Sequence, residues 1–199
     1  MATIGVIVCS QRSPRAGLQI TNFVTDTIQE AFPSAALRLV DLVSWDLPLY
    51  NEPGIPSQIT SIDEYTHETT KAWSREIASH AGFIFVTPQY NWGYPASVKN
   101  AIDYLFHEWK GKPAMIVSYG GHGGGKAAEQ LQQVLQGVRM QPVEPLVALT
   151  FPDKEFTGRA SRGEDLGLME AQGKGLWKEK RQEIHAAFER LNELVNAEY

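Results

Sequence analysis

Two hydrophobic periods alternate along this chain. Short, nearly continuous apolar runs occur at Thr3–Val8, Ala36–Val40, Gly82–Val86, Pro113–Ser118 and Pro145–Leu149. Those at Thr3–Val8, Gly82–Val86 and Pro113–Ser118 show the pattern of strands buried on both faces, and the other two are expected to be strands. Between them, apolar residues recur every three or four positions, which predicts helices. These run from about Leu18 to Ala31, from Ile62 to His80, from the turn after Pro95 and from Lys126 to Val138, with a last one from about Leu176 to Asn196. The stripe of the second is Tyr65, Thr69, Ala72, Trp73, Ile77 and Ala78. That of the third is Val98, Ala101, Ile102 and Leu105, and that of the last Ile184, Phe188, Leu191 and Val195. Pro95 stands where a first helical turn accepts proline. Strand, helix, strand in repetition predicts a parallel sheet wrapped on both faces.

Two stretches break the alternation. Asp41 to Gln58 carries Pro48, Pro53, Gly54 and Pro56, so it is expected to be a loop, with Trp45 and Tyr50 either pinning it to the core or lining a site. Phe151 to Gly175 has five glycines, mixed charges and few apolar anchors. It is expected to be irregular.

The remaining chemistry gathers at three strand ends. After the first strand come Ser10, Arg12, Ser13, Arg15 and Gly17, with no acidic residue before Asp26. Two cations without a local counter-charge, next to a helix N-terminus, suit a phosphate site; the alternative is a solvated turn with both arginines in water. The loop lacks the glycine spacing of a Walker motif and of a dinucleotide fingerprint, so a mononucleotide fits better. After the third strand, Thr87-Pro88-Gln89-Tyr90-Asn91-Trp92-Gly93-Tyr94 supplies amides and flat rings. After the fourth, Ser118-Tyr119 leads into a run with glycine at 120, 121, 123, 124 and 125. Such a run suits a backbone that approaches a flat ligand or anion closely. Together these features predict a flavodoxin-like, doubly wound, five-stranded α/β domain spanning residues 1–199. The expected strand order is 2-1-3-4-5, with a mononucleotide across the switch point.

Composition narrows the partners. The chain has 199 residues, 43% of them apolar and 21% charged, the profile of an ordinary globular domain. A formal net charge of -5 argues against a general nucleic-acid or acidic-membrane binder. The single cysteine, Cys9, excludes an internal disulfide and a cysteine-based metal cage. His67 and His80 have no ligand pattern around them and read as surface or capping residues. The short apolar start lacks a basic n-region, and no run of about 18 apolar residues occurs. The cytoplasm is the expected compartment.

The sequence Thr87-Pro88-Gln89-Tyr90-Asn91, with Pro95 and Lys99-Asn100-Ala101-Ile102-Asp103, resembles the central signature of the NAD(P)H-dependent FMN reductase family. Ser10, Arg12 and Arg15 resemble its phosphate loop, and Ser118-Tyr119-Gly120-Gly121 with Gly123-Gly124 its third flavin loop. The run Phe106-His107-Glu108-Trp109 brings the chain nearest to the fungal NAD(P)H:quinone oxidoreductase and azoreductase branch. The resemblance spans about Thr3 to Leu149. Cys9 stands where many members have glycine, and nothing carries over onto residues 151–175.

The resemblance implies a non-covalent FMN, NAD(P)H as electron donor, and a homodimer or tetramer. Ser10, Arg12 and Arg15 would hold the 5'-phosphate. Pro88, Gln89, Tyr90, Asn91 and Trp92 would run beside the ribityl chain and ring edge, and Ser118, Tyr119, Gly120 and Gly121 would border the other side. Hydride transfer through one open face, followed by two-electron reduction of a quinone, azo compound, flavin or metal oxyanion, gives a ping-pong cycle. It needs no catalytic side chain and no metal, because the cofactor carries the chemistry. His122 is either a proton donor to a quinone or simply a loop residue. Trp92, Tyr94 and Trp109 either form a subunit interface or pack within the chain, and Trp45, Tyr50 and residues 151–175 are candidates to cover a neighbour's flavin. Two other readings stand beside the enzyme: a flavin-redox-sensing regulator that binds a protein partner, and a flavin-free nucleotide-binding relative.

Overall fold

The computed structural model describes residues 2–168 and 175–197. Strands β1 (Ile4–Val8), β2 (Leu37–Asp41), β3 (Gly82–Pro88), β4 (Pro113–Gly120), β5 (Gln141–Pro142) and β6 (Val147–Thr150) form one parallel sheet. Its order is β2-β1-β3-β4, with both β5 and β6 on the outer edge of β4. This is the flavodoxin-like order expected, with its fifth position split in two. Gln141–Pro142 pairs with Pro113–Ala114, and Val147–Thr150 pairs with Val117–Gly120. β1, β3 and most of β4 are buried along their whole length, which is why the sequence shows no alternation there.

Helices cover both faces. α1 (Gly17–Ala31), α6 (Lys154–Arg162) and α7 (Lys178–Ala197) lie over the face that carries Ile4, Val6, Ile84, Val86, Met115 and Val117. The opposite face carries Ile7, Phe83, Phe85 and Ile116. It is covered by α3 (Glu68–Ala78), α4 (Ala96–Asp103) and α5 (Gly125–Gly137), while α2 (Leu42–Trp45) is a single turn after β2. Among the described residues, no helix is long and apolar enough to cross a membrane.

Three expectations need correction. The helix expected from Ile62 to His80 is two pieces: a 3-10 turn at Ile62–Glu64, then α3. Ser61 and Glu64 cap the turn reciprocally, and the Glu52 carboxylate accepts from the N–H groups of Thr66 and His67 at 2.9 Å. Those groups are therefore satisfied outside a helix, and Thr70 rather than Thr69 faces the core. His80 is not a surface residue; it is buried against Phe83, with Nε2 3.0 Å from Glu76, and burial lowers its pKa. Finally, the stretch after Phe151 contains a helix. Asp153 caps α6 by accepting from Phe156 N at 2.7 Å, and Gly163 ends it in a left-handed conformation. Of the glycines expected to keep that stretch irregular, Gly173 lies outside the described residues.

Three of the aromatic residues singled out pack within the chain. Trp109 is fully buried and donates to Ile102 O, so it packs within the chain. Trp45 lies edge-on to Trp73 at 4.9 Å, and Tyr50 meets Tyr104 at 5.3 Å while donating to Gly54 O. Both rings pin the proline-rich loop.

Candidate functional site

β1, β3 and β4 end side by side, and their loops enclose a cleft of about 270 Å³. Ser10, Arg12 and Arg15 line one end, Pro88, Gln89 and Tyr90 one wall, and Tyr119, Gly120 and Gly121 the other. The structure thus brings together nine of the residues singled out in the sequence.

The charged end is built by long-range contacts. Arg15 donates from Nη1 to Asp41 Oδ1 at 2.9 Å and to the Ser10 carbonyl at 2.6 Å, and from Nη2 to Asp41 Oδ2 at 2.6 Å. Asp41 closes β2 and also accepts from Val43 N. The loop therefore does have a counter-charge, supplied from another strand's end, where local sequence could not show it. Burial acts to raise the Asp41 pKa, but the hydrogen bonds from Arg15 and Val43 and the guanidinium's charge outweigh it, and the net shift is downward. On Arg15 the Asp41 hydrogen bond outweighs burial and raises the pKa further. The pair uses the end-on edge of the guanidinium. Its Nε–H and second Nη2–H, parallel on the side edge, have no partner among the described residues and can take an anion bidentately.

Two further features suit an anion. The Ser10 hydroxyl is buried and has no hydrogen-bond partner among the described residues. The first turn of α1 begins at Gly17 and carries no acidic residue. A Cβ on Gly17 would lie 2.0 Å from Ser10 Oγ and 2.7 Å from Tyr119 Oη, so only glycine lets the helix start this close to the loop. Arg12 donates to Ser161 O at 3.0 Å and Ala160 O at 3.5 Å, at the C-terminal end of α6.

The opposite end is flat and open. Gly120 has φ +148°, and a Cβ there would meet nothing within 4 Å. Tyr119 and Phe151 lie nearly parallel with ring centres 6.2 Å apart, and burial pushes the Tyr119 phenol up. A buried donor hydroxyl, a free guanidinium edge, a helix start and a glycine wall fit a phosphate ester attached to a flat ring. The cleft volume is at the low end of ligand sites, so such a ring keeps one side open.

Three expected residues lie elsewhere. Ser118 is buried behind the cleft and donates to Gly123 O at 2.7 Å, which fixes the glycine loop. Asn91 and Trp92 form a turn outside the cleft and border a second cavity, together with His122. Ala16, Phe151, Thr157, Ala160 and Ser161 also line the cleft and carried no signal in the sequence. The last three come from α6, a helix whose presence was itself not legible. Cys9 lies beneath the loop, buried, with burial pushing its thiol up. Among the described residues no group of three or more acidic, histidine or cysteine side chains could hold a metal ion.

Comparison with known proteins gives a consistent result. The family model for NADPH-dependent FMN reductase matches residues 2–152. The NAD(P)H-dependent FMN reductase LOT6 of Saccharomyces cerevisiae is 47% identical over 146 residues, covering 70% of this chain and 76% of the yeast protein. The NAD(P)H-dependent FMN reductase ntnL of Nectria sp is 39% identical over 199 residues, covering 98% of each. Among solved structures, the flavoenzyme NAD(P)H:(acceptor) oxidoreductase FerB of Paracoccus denitrificans shares the fold. Its TM-score is 0.58 at 23% identity, covering 94% of this chain and 99% of that one.

Proposed function

The chain belongs to the NADPH-dependent FMN reductase family and is an oxidoreductase with FMN as cofactor and NAD(P)H as donor; we propose that it passes two electrons, in a ping-pong cycle, to quinones and similar acceptors such as azo compounds, flavins or metal oxyanions. The observation that carries this reading is the convergence, at one end of the cleft, of the unpartnered Ser10 hydroxyl and the free edge of Arg15.

FMN, when bound, supplies the two-electron chemistry, accepting hydride from NAD(P)H and yielding both electrons to the acceptor. The residues bind and orient. Ser10 Oγ, the side edge of Arg15 and the first turn of α1 hold the 5'-phosphate, with Arg12 at the rim. Pro88, Gln89 and Tyr90 border one side of the flat group, and Tyr119, Gly120 and Gly121 the other. Gln89 is held in place by accepting from Ala127 N at 3.3 Å. Asn91, Trp92 and Ser118 act from outside the cleft, Ser118 by fixing the glycine loop. A single open side to the cleft would admit donor and acceptor only in turn, and this is what supports the ping-pong order.

The same reading takes the cofactor as non-covalent, the working form as a homodimer or tetramer, and the compartment as the cytoplasm. Initial rates at varied NADPH and several fixed menadione concentrations test the cycle. Parallel double-reciprocal lines are expected; intersecting lines would show both substrates bound together and refute the ping-pong order.

A further inference from the structure

The tip between β3 and α4 has a backbone that its sequence does not favour. Tyr90 and Gly93 exchange both backbone hydrogen bonds, at 2.8 and 3.0 Å, and close a two-residue turn. Both central residues have positive φ, +46° at Asn91 and +70° at Trp92. Turns of this kind favour Asn-Gly, because the left-handed region crowds a Cβ. Asn91 suits its place; a bulky indole at the next position is strained. The turn is held from outside, with Gln130 Nε2 donating to Trp92 O at 3.1 Å. Nor does the indole recover the cost by burial, since Trp92 is 71% exposed. Neither local conformation nor core packing accounts for tryptophan here. What it provides is a flat, accessible face.

That face borders a cavity of about 570 Å³ whose other walls include His122, Gly125, Lys126 and Glu129. Gln89 lines both this cavity and the cofactor cleft, so the two adjoin. The far wall is the first turn of α5, which has no acidic residue and begins after Gly124, at φ +77°. The Lys126 ammonium meets Glu129 at 3.1 Å, but both side chains are more than half exposed, so the pair is weak enough for a bound phosphate to compete with it. An aromatic platform facing a cation and a helix start matches a purine nucleotide. A neutral quinone would use only the platform, and the polar walls do not suit an apolar protein interface.

We propose that Trp92 and the first turn of α5 form the subsite for the adenosine-phosphate half of NAD(P)H, with the purine stacked on the indole and phosphate toward Lys126. The assignment rests on the reductase reading above and adds where the donor is gripped.

The test uses two donors: NADPH, and reduced nicotinamide mononucleotide, which lacks the adenosine half. With FMN-loaded protein and menadione as acceptor, Trp92→Gly is expected to raise the KM for NADPH about ten-fold. Lys126→Gln is expected to raise it about three-fold. The KM for the mononucleotide is expected to move less than two-fold in either variant. Trp92→Phe, which keeps a ring, is expected to stay within about three-fold of the wild type. ADP, the half shared by NADH and NADPH, gives a readout independent of flavin: it is expected to bind the wild type and to bind Trp92→Gly at least about five-fold more weakly. Equal KM rises for both donors, a rise in the menadione KM, unchanged ADP binding, or conversion to a smaller species on sedimentation would overturn the assignment. A wild type that binds ADP through Trp92 but takes up no FMN would instead refute the reductase reading and leave the subsite standing.

Discussion

The loops after β1 and β3 stand at the same edge of the same sheet, yet different forces hold them. In the first, Arg15 is fixed by Asp41 from the end of β2, and Arg12 meets a carbonyl 149 residues away. In the second, the turn closes on itself through Tyr90 and Gly93, and among the described residues Gln89 and Gln130 tie it to a neighbouring helix. The first loop holds charge in a partly buried place, where a few tenths of an ångström decide the interaction, and it is braced from several elements. The second presents a surface, and it tolerates strain and exposure. Bracing from afar marks the end where an anion must be placed; local strain marks the end where a ring has only to lie flat.

Removing the guanidinium should break the first loop most severely. Arg15→Ala is expected to weaken FMN binding at least about 100-fold, roughly the worth of a bidentate charge-assisted contact. Flavin fluorescence quenching measures it, and a loss under three-fold would remove Arg15 from the phosphate site. Asp41→Asn sharpens the same point. It keeps an acceptor but loses the charged fork, so about ten-fold weaker FMN binding is expected. In the Arg15→Ala background the same change should have almost no further effect on FMN affinity. Full additivity would show that Asp41 acts only through its cap on α2.

Lys112 shows what burial does to a cation without a carboxylate clamp. Its ammonium donates to the Ile77 carbonyl at 2.7 Å, and burial pushes its pKa down to about 8 against a smaller opposing pull from Glu108. The folded form thus holds this proton less tightly than the unfolded chain, whose lysine titrates near 10.5. Stability contributed by Lys112 must therefore rise with pH between about 8 and 10.5. Urea unfolding of the wild type and Lys112→Met at pH 7.5 and 9.5 should differ in pH slope by about 1 kcal/mol per pH unit, the wild type gaining. Equal slopes would show that Lys112 is hydrated in solution.

The smallest effect is expected at the second loop. Trp92→Gly relieves a left-handed tryptophan and loses little burial, so the thermal midpoint should hold or rise by an amount worth up to about 1 kcal/mol. A clear fall, measured by calorimetry, would mean that the indole packs against something in the assembled protein.

How far the sequence was legible follows from where the information lies. The buried strands could be read from continuous runs such as Gly82–Val86, because burial on both faces leaves a local mark. Nine cleft residues could be placed because they sit directly at strand ends, where topology puts ligands. The expected order puts the ends of β1 and β2 side by side, but which side chains meet there depends on register and rotamer, so Asp41 could not be paired with Arg15. Helix α6 was missed because it buries only Phe156 and Ala160 and carries Gly158 in its middle, which leaves almost no periodic stripe. With it went Thr157, Ala160 and Ser161. The turn at Asn91-Trp92 was not legible, because the resemblance carries residue identity and says nothing of backbone sign.

Anaerobic absorbance of the FMN-reconstituted protein tests the central claim most directly. The account predicts a yellow protein that bleaches when NADPH is added and recovers its colour when menadione follows, at a rate that sustains turnover. Bound flavin that stays yellow under excess NADPH, while remaining reducible by dithionite, would contradict it.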